Sequence, residues 1–148
     1  MIDTLQDHVI IAGFGVGGRF VAEYLSAQAI AFVVVDLNGQ TFITQRRLGV
    51  PIVQGDISDP DVLRRAGVDR ARILALTIPD EQAALLATEA ANALNSNIHI
   101  IAGTRYTSTG LVALKKGADE VIVAEQAVAQ EFYRRIANII SREEARAS

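Results

Sequence analysis

Cysteine and tryptophan are absent from this 148-residue chain, methionine occurs once and proline three times. Without cysteine there are no disulfides, no thiol redox chemistry and no thiolate metal sites. Positive charge is also scarce: 14 Lys and Arg stand against 17 Asp and Glu, a net charge of −3 that argues against nucleic acid as the main partner. No apolar run approaches the ~18 residues of a membrane span, and the N-terminus lacks a signal-peptide pattern. A cytoplasmic protein with no direct membrane insertion is therefore expected. The two histidines, His8 and His99, each fall at or inside a strand with no second His and no spaced carboxylate, so neither a metal nor a catalytic role is expected of them.

Half of the residues are apolar and only 5% aromatic, with Val, Ile, Leu and Ala dominating. That is the material of a buried parallel sheet covered by helices. The length suits one domain, 1–148, with a core over about 8–140. Strand and helix patterns alternate six times. The strands are expected at Val9 to Ala12, Ala31 to Val35, Pro51 to Val53, Ala71 to Thr77, Ile98 to Ala102 and Glu120 to Val123. Helices are expected over about Gly17 to Ala27, Gly39 to Leu48, Asp59-Pro60 to near Gly67, Asp80 to about Leu94, Thr107 to Lys116 and Glu125 to about Arg142. Gly49, Gly67 and Gly117 serve as stops, and Asp59 before Pro60 reads as a cap with proline at the first helical position. Residues Ser141 to Ser148 read as a polar, fraying tail. The pattern predicts an α/β, Rossmann-like, doubly wound six-stranded parallel sheet of order 3-2-1-4-5-6.

The chemistry concentrates in His8 to Val21, where a short apolar strand runs into Gly13-Phe14-Gly15-Val16-Gly17-Gly18 and a helix follows at once. Gly13, Gly15 and Gly18 stand at G-x-G-x-x-G spacing, and Asp36 ends the next strand. Gly13 permits a tight turn, Gly15 lets backbone approach a phosphate, and Gly18 allows close helix packing. Amides at the helix N-terminus face the anion, and Asp36 accepts hydrogen bonds from ribose hydroxyls. Asp36 followed by Leu37, with no arginine beside it, disfavours a 2′-phosphate and hence NADP. Thr77, Ile78 and Asp80 follow the fourth strand at the switch point, where ligand contact is expected; for Asp80 plain helix capping is the alternative. Arg105 follows the fifth strand and faces a ligand, a dimer partner or simply solvent. The Val128, Phe132, Ile136 and Ile140 stripe of the last helix covers either the sheet's own edge or a partner subunit.

Further landmarks occur in order: Gly55-Asp56-Ile57-Ser58-Asp59-Pro60 with Val62-Leu63, Ala66-Gly67-Val68 with Ala71, Thr77-Ile78-Pro79-Asp80, and Gly117-Ala118-Asp119-Glu120-Val121-Ile122-Val123. This series resembles the TrkA-N or RCK N-terminal domain, which regulates conductance of bacterial potassium channels and transporters, over roughly His8 to Ile140. Thr104-Arg105-Tyr106 and Glu125 look most like the cytosolic domain of Kef-type cation:proton antiporters. The resemblance implies a regulatory domain that dimerises, often within larger rings, and passes conformational change to a membrane channel or antiporter. It implies NAD(H), AMP, ADP or ATP as ligands, with Gly13, Gly15 and Gly18 under the phosphates, Asp36 on the ribose and Asp56, beside Ile57, at the adenosine. Asp56 has a second reading as a turn residue ahead of the Asp59 cap.

Two positions depart from the family pattern. Val16 replaces an arginine that reaches a terminal phosphate, and Ala102-Gly103 stands where many members carry Ala-Arg. Each lost guanidinium contact is worth ~1.5–3 kcal/mol. Unless Arg19 or Arg105 substitutes, AMP or NAD(H) is favoured over ADP and ATP. Catalysis is not expected. No Tyr-x-x-x-Lys pair occurs, since Gln28, Gly110 and Ala137 stand four residues beyond the tyrosines. There is also no serine elbow and no His with a carboxylate orienter. The rival readings are a small S-adenosylmethionine-dependent methyltransferase, whose glycine loop Gly13-x-Gly15-x-Gly17 also fits, and the detached NAD-binding half of a dehydrogenase.

Overall fold

Residues 2–148 are described by a computed structural model of the chain. Six strands form one sheet: β1 (Val9–Ala12), β2 (Phe32–Asp36), β3 (Ile52–Gln54), β4 (Ile73–Leu76), β5 (His99–Thr104) and β6 (Glu120–Val123). Their order is β3-β2-β1-β4-β5-β6, and every adjacent pair is parallel, as expected from the sequence. The helices are α1 (Val16–Ala27), α2 (Gly39–Arg47), α3 (Pro60–Arg65), α4 (Glu81–Leu94), α5 (Thr107–Lys116) and α6 (Ala124–Ala147).

Local chemistry sets the helix ends. The Asp59 carboxylate accepts from Asp61 N at 2.9 Å ahead of Pro60, and Asp80 accepts from Ala83 N at 3.0 Å. Asn38 caps α2 by accepting from the amides of Gln40 and Thr41. Each side chain satisfies amides that a helix start leaves without partners. Gly49, Gly67 and Gly117 follow α2, α3 and α5 with φ of 82°, 77° and 120°, in the left-handed region that stops a helix cheaply only at glycine.

Alternation along the strands feeds two apolar layers. Ile10, Ala12, Val33, Val35, Leu74, Leu76, Ile100 and Ala102 pack with α3, α4 and α5 through Val62, Leu63, Ala84, Ala87, Ala91 and Ala113. Val9, Ile11, Val34 and Ile52 pack on the other face with Ala22 and Leu25 of α1 and with Phe42 of α2. The small alanines of α4 let that helix lie close on the sheet.

The end of the chain departs from expectation. Residues 141–147 continue α6 rather than fraying, because Arg142, Glu143, Glu144, Ala145, Arg146 and Ala147 are good helix formers with no Gly or Pro among them. No residue of this 24-residue helix is buried, and it lies against β6 only at its start. The Val128, Phe132, Ile136 and Ile140 stripe therefore does not cover the sheet's own edge.

Candidate functional site

Parallel strands bring all their carboxyl ends to one side, and the crevice of such a sheet opens where the strand order reverses. Here that point lies between β1 and β4. A cleft of about 500 Å³ occupies it, walled by residues 13–17, by Val35, Asp36 and Leu37, by Gly55, Asp56 and Ile57, by residues 77–80, and by Ala83. Besides Arg105, the residues expected at a ligand come from four separate segments of the chain, and all but Gly18 line this cleft.

The glycines of the turn divide by what surrounds them. Gly13 has φ +93°, and its amide donates to Val35 O at 2.8 Å. A Cβ on Gly18 would lie 2.0 Å from Gly13 O, so the start of α1 sits directly on the turn's backbone. Gly18 thus shapes the cleft from beneath without lining it. Around Gly15 there is nothing within 4 Å of a Cβ, which leaves its backbone open to the cleft. No side chain caps α1 at Gly15. The amides of its first turn are left for an incoming acceptor, with the positive end of the helix dipole behind them.

Asp36 ties two loops together. One carboxylate oxygen accepts from Phe14 N at 2.9 Å and the other from Asn38 N at 2.8 Å. A carboxylate offers about four acceptor positions, so each oxygen keeps capacity for a hydroxyl donor. Asp56 holds its turn, accepting from Ser58 N at 2.9 Å and Ser58 Oγ at 2.7 Å, and it also lines the cleft. Asp80 likewise caps α4 and lines the cleft. The Thr77 hydroxyl donates to Ala12 O at 2.8 Å.

Among the described residues no Lys, Arg or His lines this cleft, whereas three aspartates do. The two arginines considered as phosphate ligands are elsewhere. Arg19 donates from Nε to Phe14 O at 3.1 Å and places its guanidinium 4.7 Å from the centre of the Phe14 ring. Arg105 lies outside the cleft on a neighbouring groove beside Glu81, Gly103 and Ile122, and its amide donates to Glu81 Oε2 at 3.0 Å. Sequence proximity to a strand end did not reveal this, because β4 lies between β5 and β1, and Arg105 at the end of β5 comes to rest beside Glu81 at the start of α4.

The histidines also gain partners that sequence spacing does not show. His8 is buried with Nε2 2.8 Å from Ala66 O; a carbonyl only accepts, so Nε2 carries the proton, and Nδ1 is left without a partner. The expectation of no carboxylate beside a histidine fails at His99, whose Nε2 bonds Glu120. The two side chains start β5 and β6, at the end of the sheet away from the cleft, and that bond raises the His99 pKa above its ordinary 6.5. Among the described residues no group of His, Asp and Glu is arranged to hold a metal ion, and no helix is long and apolar enough to cross a membrane.

The TrkA-N domain family matches residues 9–124, which span β1 to the start of α6 and include the whole cleft. The chain belongs to the TrkA-N family. A putative K⁺ efflux antiporter KefB from Alkalimonas amylolytica is 36% identical over 118 residues, 80% of this chain and 18% of the antiporter. Chain and antiporter thus share a region that is a small fraction of the relative's length. Among solved structures, the TrkA-N domain of the inner membrane protein ybaL from Escherichia coli superposes with a TM-score of 0.86 at 27% identity, covering 88% of this chain and 97% of that domain. The Shewanella denitrificans Kef C-terminal domain in its AMP-bound form shares the fold, with a TM-score of 0.72 at 22% identity over 93% of this chain and 92% of that one. The NAD-bound GsuK channel shares it too, with a TM-score of 0.74 at 23% identity over 81% of this chain and 22% of the channel's.

Proposed function

We propose that this TrkA-N domain is a nucleotide-sensing regulatory module of a potassium or other cation transport protein, a channel or Kef-type antiporter, and that it holds AMP or NAD(H) over the glycine turn. The observation that carries this reading is the cleft itself. Backbone amides at the start of α1, an open Gly15 and the Asp36 carboxylate converge there, with aspartates and no cationic side chain around them. Amides and a helix dipole suffice for a phosphate ester of low charge. ADP and ATP crowd more negative charge beside Asp36, Asp56 and Asp80 with no guanidinium to offset it. AMP, NAD and ADP in fold relatives support an adenine nucleotide at this cleft, and the preference for AMP or NAD(H) over ADP rests on the missing cations alone. Asp36 accepts from ribose hydroxyls and repels a 2′-phosphate, which disfavours NADP.

No reaction is assigned to the domain. A methyltransferase of the rival kind adds an antiparallel seventh strand, whereas β6 here leads straight into α6. The domain acts as a switch: nucleotide biases the relative orientation of paired domains, and an attached or associated transporter at the cytoplasmic face of the membrane reads the change. Such a switch requires different nucleotide affinity in the two arrangements.

Pairing with a second copy is supported by two unpartnered surfaces. α6 exposes Val128, Phe132, Ile136 and Ile140. The sheet face of β4 to β6 on the α1 side leaves Ile73, Ala75 and Ile101 half-buried and Ile122 exposed. A helix from another copy suits that face by symmetric exchange.

Mass spectrometry of small molecules released from the purified, denatured protein tests the reading, together with thermal shifts on AMP, ADP, ATP, NAD, NADH, NADP and S-adenosylmethionine. AMP or NAD(H) is expected to be released and to stabilise most. Stabilisation by S-adenosylmethionine alone, or indifference to the whole panel, refutes the proposal.

A further inference from the structure

Thr77 was expected to touch ligand, but its bonding points to another task. It directly follows β4, and its amide donates to Ala12 O at 3.0 Å, extending the β1–β4 ladder by one residue. The hydroxyl donates to the same oxygen at 2.8 Å and lies 3.3 Å from Gly13 O. A hydroxyl has one proton to give, and here it is given to the backbone of the glycine turn.

The threonine also fills the space that the glycines leave. Its Oγ1 lies 3.2 Å from where a Cβ on Gly13 would be and 3.3 Å from one on Gly18, and its Cβ 3.6 Å from one on Gly17. Thr77 therefore stands beside three of the turn's four glycines, with Ile78 Cγ2 also 3.0 Å from where a Cβ on Gly13 would be, while Gly15 alone faces open space. The direction of the turn's amides depends on the Ala12 and Gly13 peptide planes, and Thr77 is the side chain that fixes those planes from the β4 side.

Building on the nucleotide reading above, we propose that Thr77 is a positioning residue for phosphate recognition: its hydroxyl holds the glycine turn so that the turn's amides, not the threonine, meet the phosphate. Removing the hydroxyl loosens the amides and disturbs the adenosine subsite along Asp36 and Asp56 less, because those carboxylates keep their own bonds to Asn38 and Ser58. Phosphate affinity and nucleoside affinity therefore separate.

The test is calorimetric titration of the intact chain with AMP and with adenosine, for wild type, Thr77→Val, Thr77→Ala and Thr77→Ser. Val matches threonine in shape and lacks only the donor, Ala is the second hydroxyl-free variant, and Ser restores the donor. The expected result is a loss of about three- to tenfold in AMP affinity for Val and Ala. Adenosine affinity stays within about twofold, and Ser recovers AMP binding to within about twofold of wild type. An unchanged ratio of AMP to adenosine affinity in Thr77→Val overturns the assignment, as does failure of Thr77→Ser to rescue. If Thr77→Val does not fold, the Ala and Ser pair decides by the same ratio. Wild-type protein that binds neither ligand overturns the nucleotide reading itself, and the Thr77 assignment with it.

Discussion

Gly15→Ala and Gly18→Ala place the same methyl group three residues apart in one turn, and they fail in opposite ways. At Gly18 the new Cβ lies 2.0 Å from Gly13 O and 2.9 Å from Gly13 C, and real Cβ contacts do not fall below 3.0 Å. The neighbour is backbone, so no side chain can swing aside; α1 must lift or the turn must open by roughly 1 Å. That strains the bond from Gly13 N to Val35 O and the contact with Thr77. Overpacking of this kind costs about 1–3 kcal/mol, and replacing a helical glycine returns about 0.5–1 kcal/mol. A net loss of about 1–2 kcal/mol lowers the melting temperature by about 2–8 °C for a domain of this size.

At Gly15 the methyl meets nothing within 4 Å, and the backbone has φ −81°, which alanine adopts freely. Only the weaker preference for alanine at a helix cap is felt, below about 1 kcal/mol. The methyl enters the open side of the cleft, however, and stands between the turn's amides and a phosphate. Thermal unfolding followed by circular dichroism, paired with AMP titration, separates the two: Gly18→Ala melts early, whereas Gly15→Ala melts close to wild type and binds AMP at least about tenfold more weakly. Equal melting temperatures for the two variants refute the packing argument. Wild-type AMP affinity in Gly15→Ala refutes the placement of the phosphate.

Three other outcomes follow from the same geometry. Val16→Arg adds a guanidinium at the cleft rim, so ATP affinity rises about tenfold or more while AMP affinity moves less; titration with both nucleotides reads the difference. The bond to Glu120 raises the His99 pKa above 6.5, so its stabilisation is fully present below that value and is lost as pH rises through the raised pKa. The melting-temperature advantage of wild type over His99→Gln is accordingly expected to be largest below pH 6.5 and to shrink as pH rises above it through the raised pKa, and an advantage that grows with pH defeats the assignment. Phe132→Glu with Ile136→Glu places charge on the exposed face of α6, and light scattering coupled to size exclusion is expected to report monomer where wild type reports dimer. A wild-type monomer at micromolar concentration removes α6 as the pairing element.

Short-range pattern determined much of this protein. The continuous apolar runs at Val9 to Ala12 and Val33 to Val35 required a sheet covered on both faces, and Gly49, Gly67 and Gly117 marked helix ends with the positive φ only glycine adopts cheaply. The glycine turn and Asp36 were legible because strand, turn and helix form one contiguous unit whose geometry is set within about thirty residues. The α6 terminus was misread because its polar residues signalled a tail, although each of them favours helix.

Tertiary structure decided whatever depends on how distant strands sit side by side. The register pairing Ile101 with Glu120 brought His99 to Glu120, two side chains 21 residues apart. The place of β5 beyond β4 set Arg105 outside the cleft, on the neighbouring groove beside Glu81. Continuation of the β1–β4 ladder set Thr77 beneath Gly13, 64 residues away in sequence. Periodicity specifies which face of a strand is buried. It does not specify where along its neighbour a strand comes to rest, and that offset, fixed only by packing of the whole sheet, determines which side chains meet.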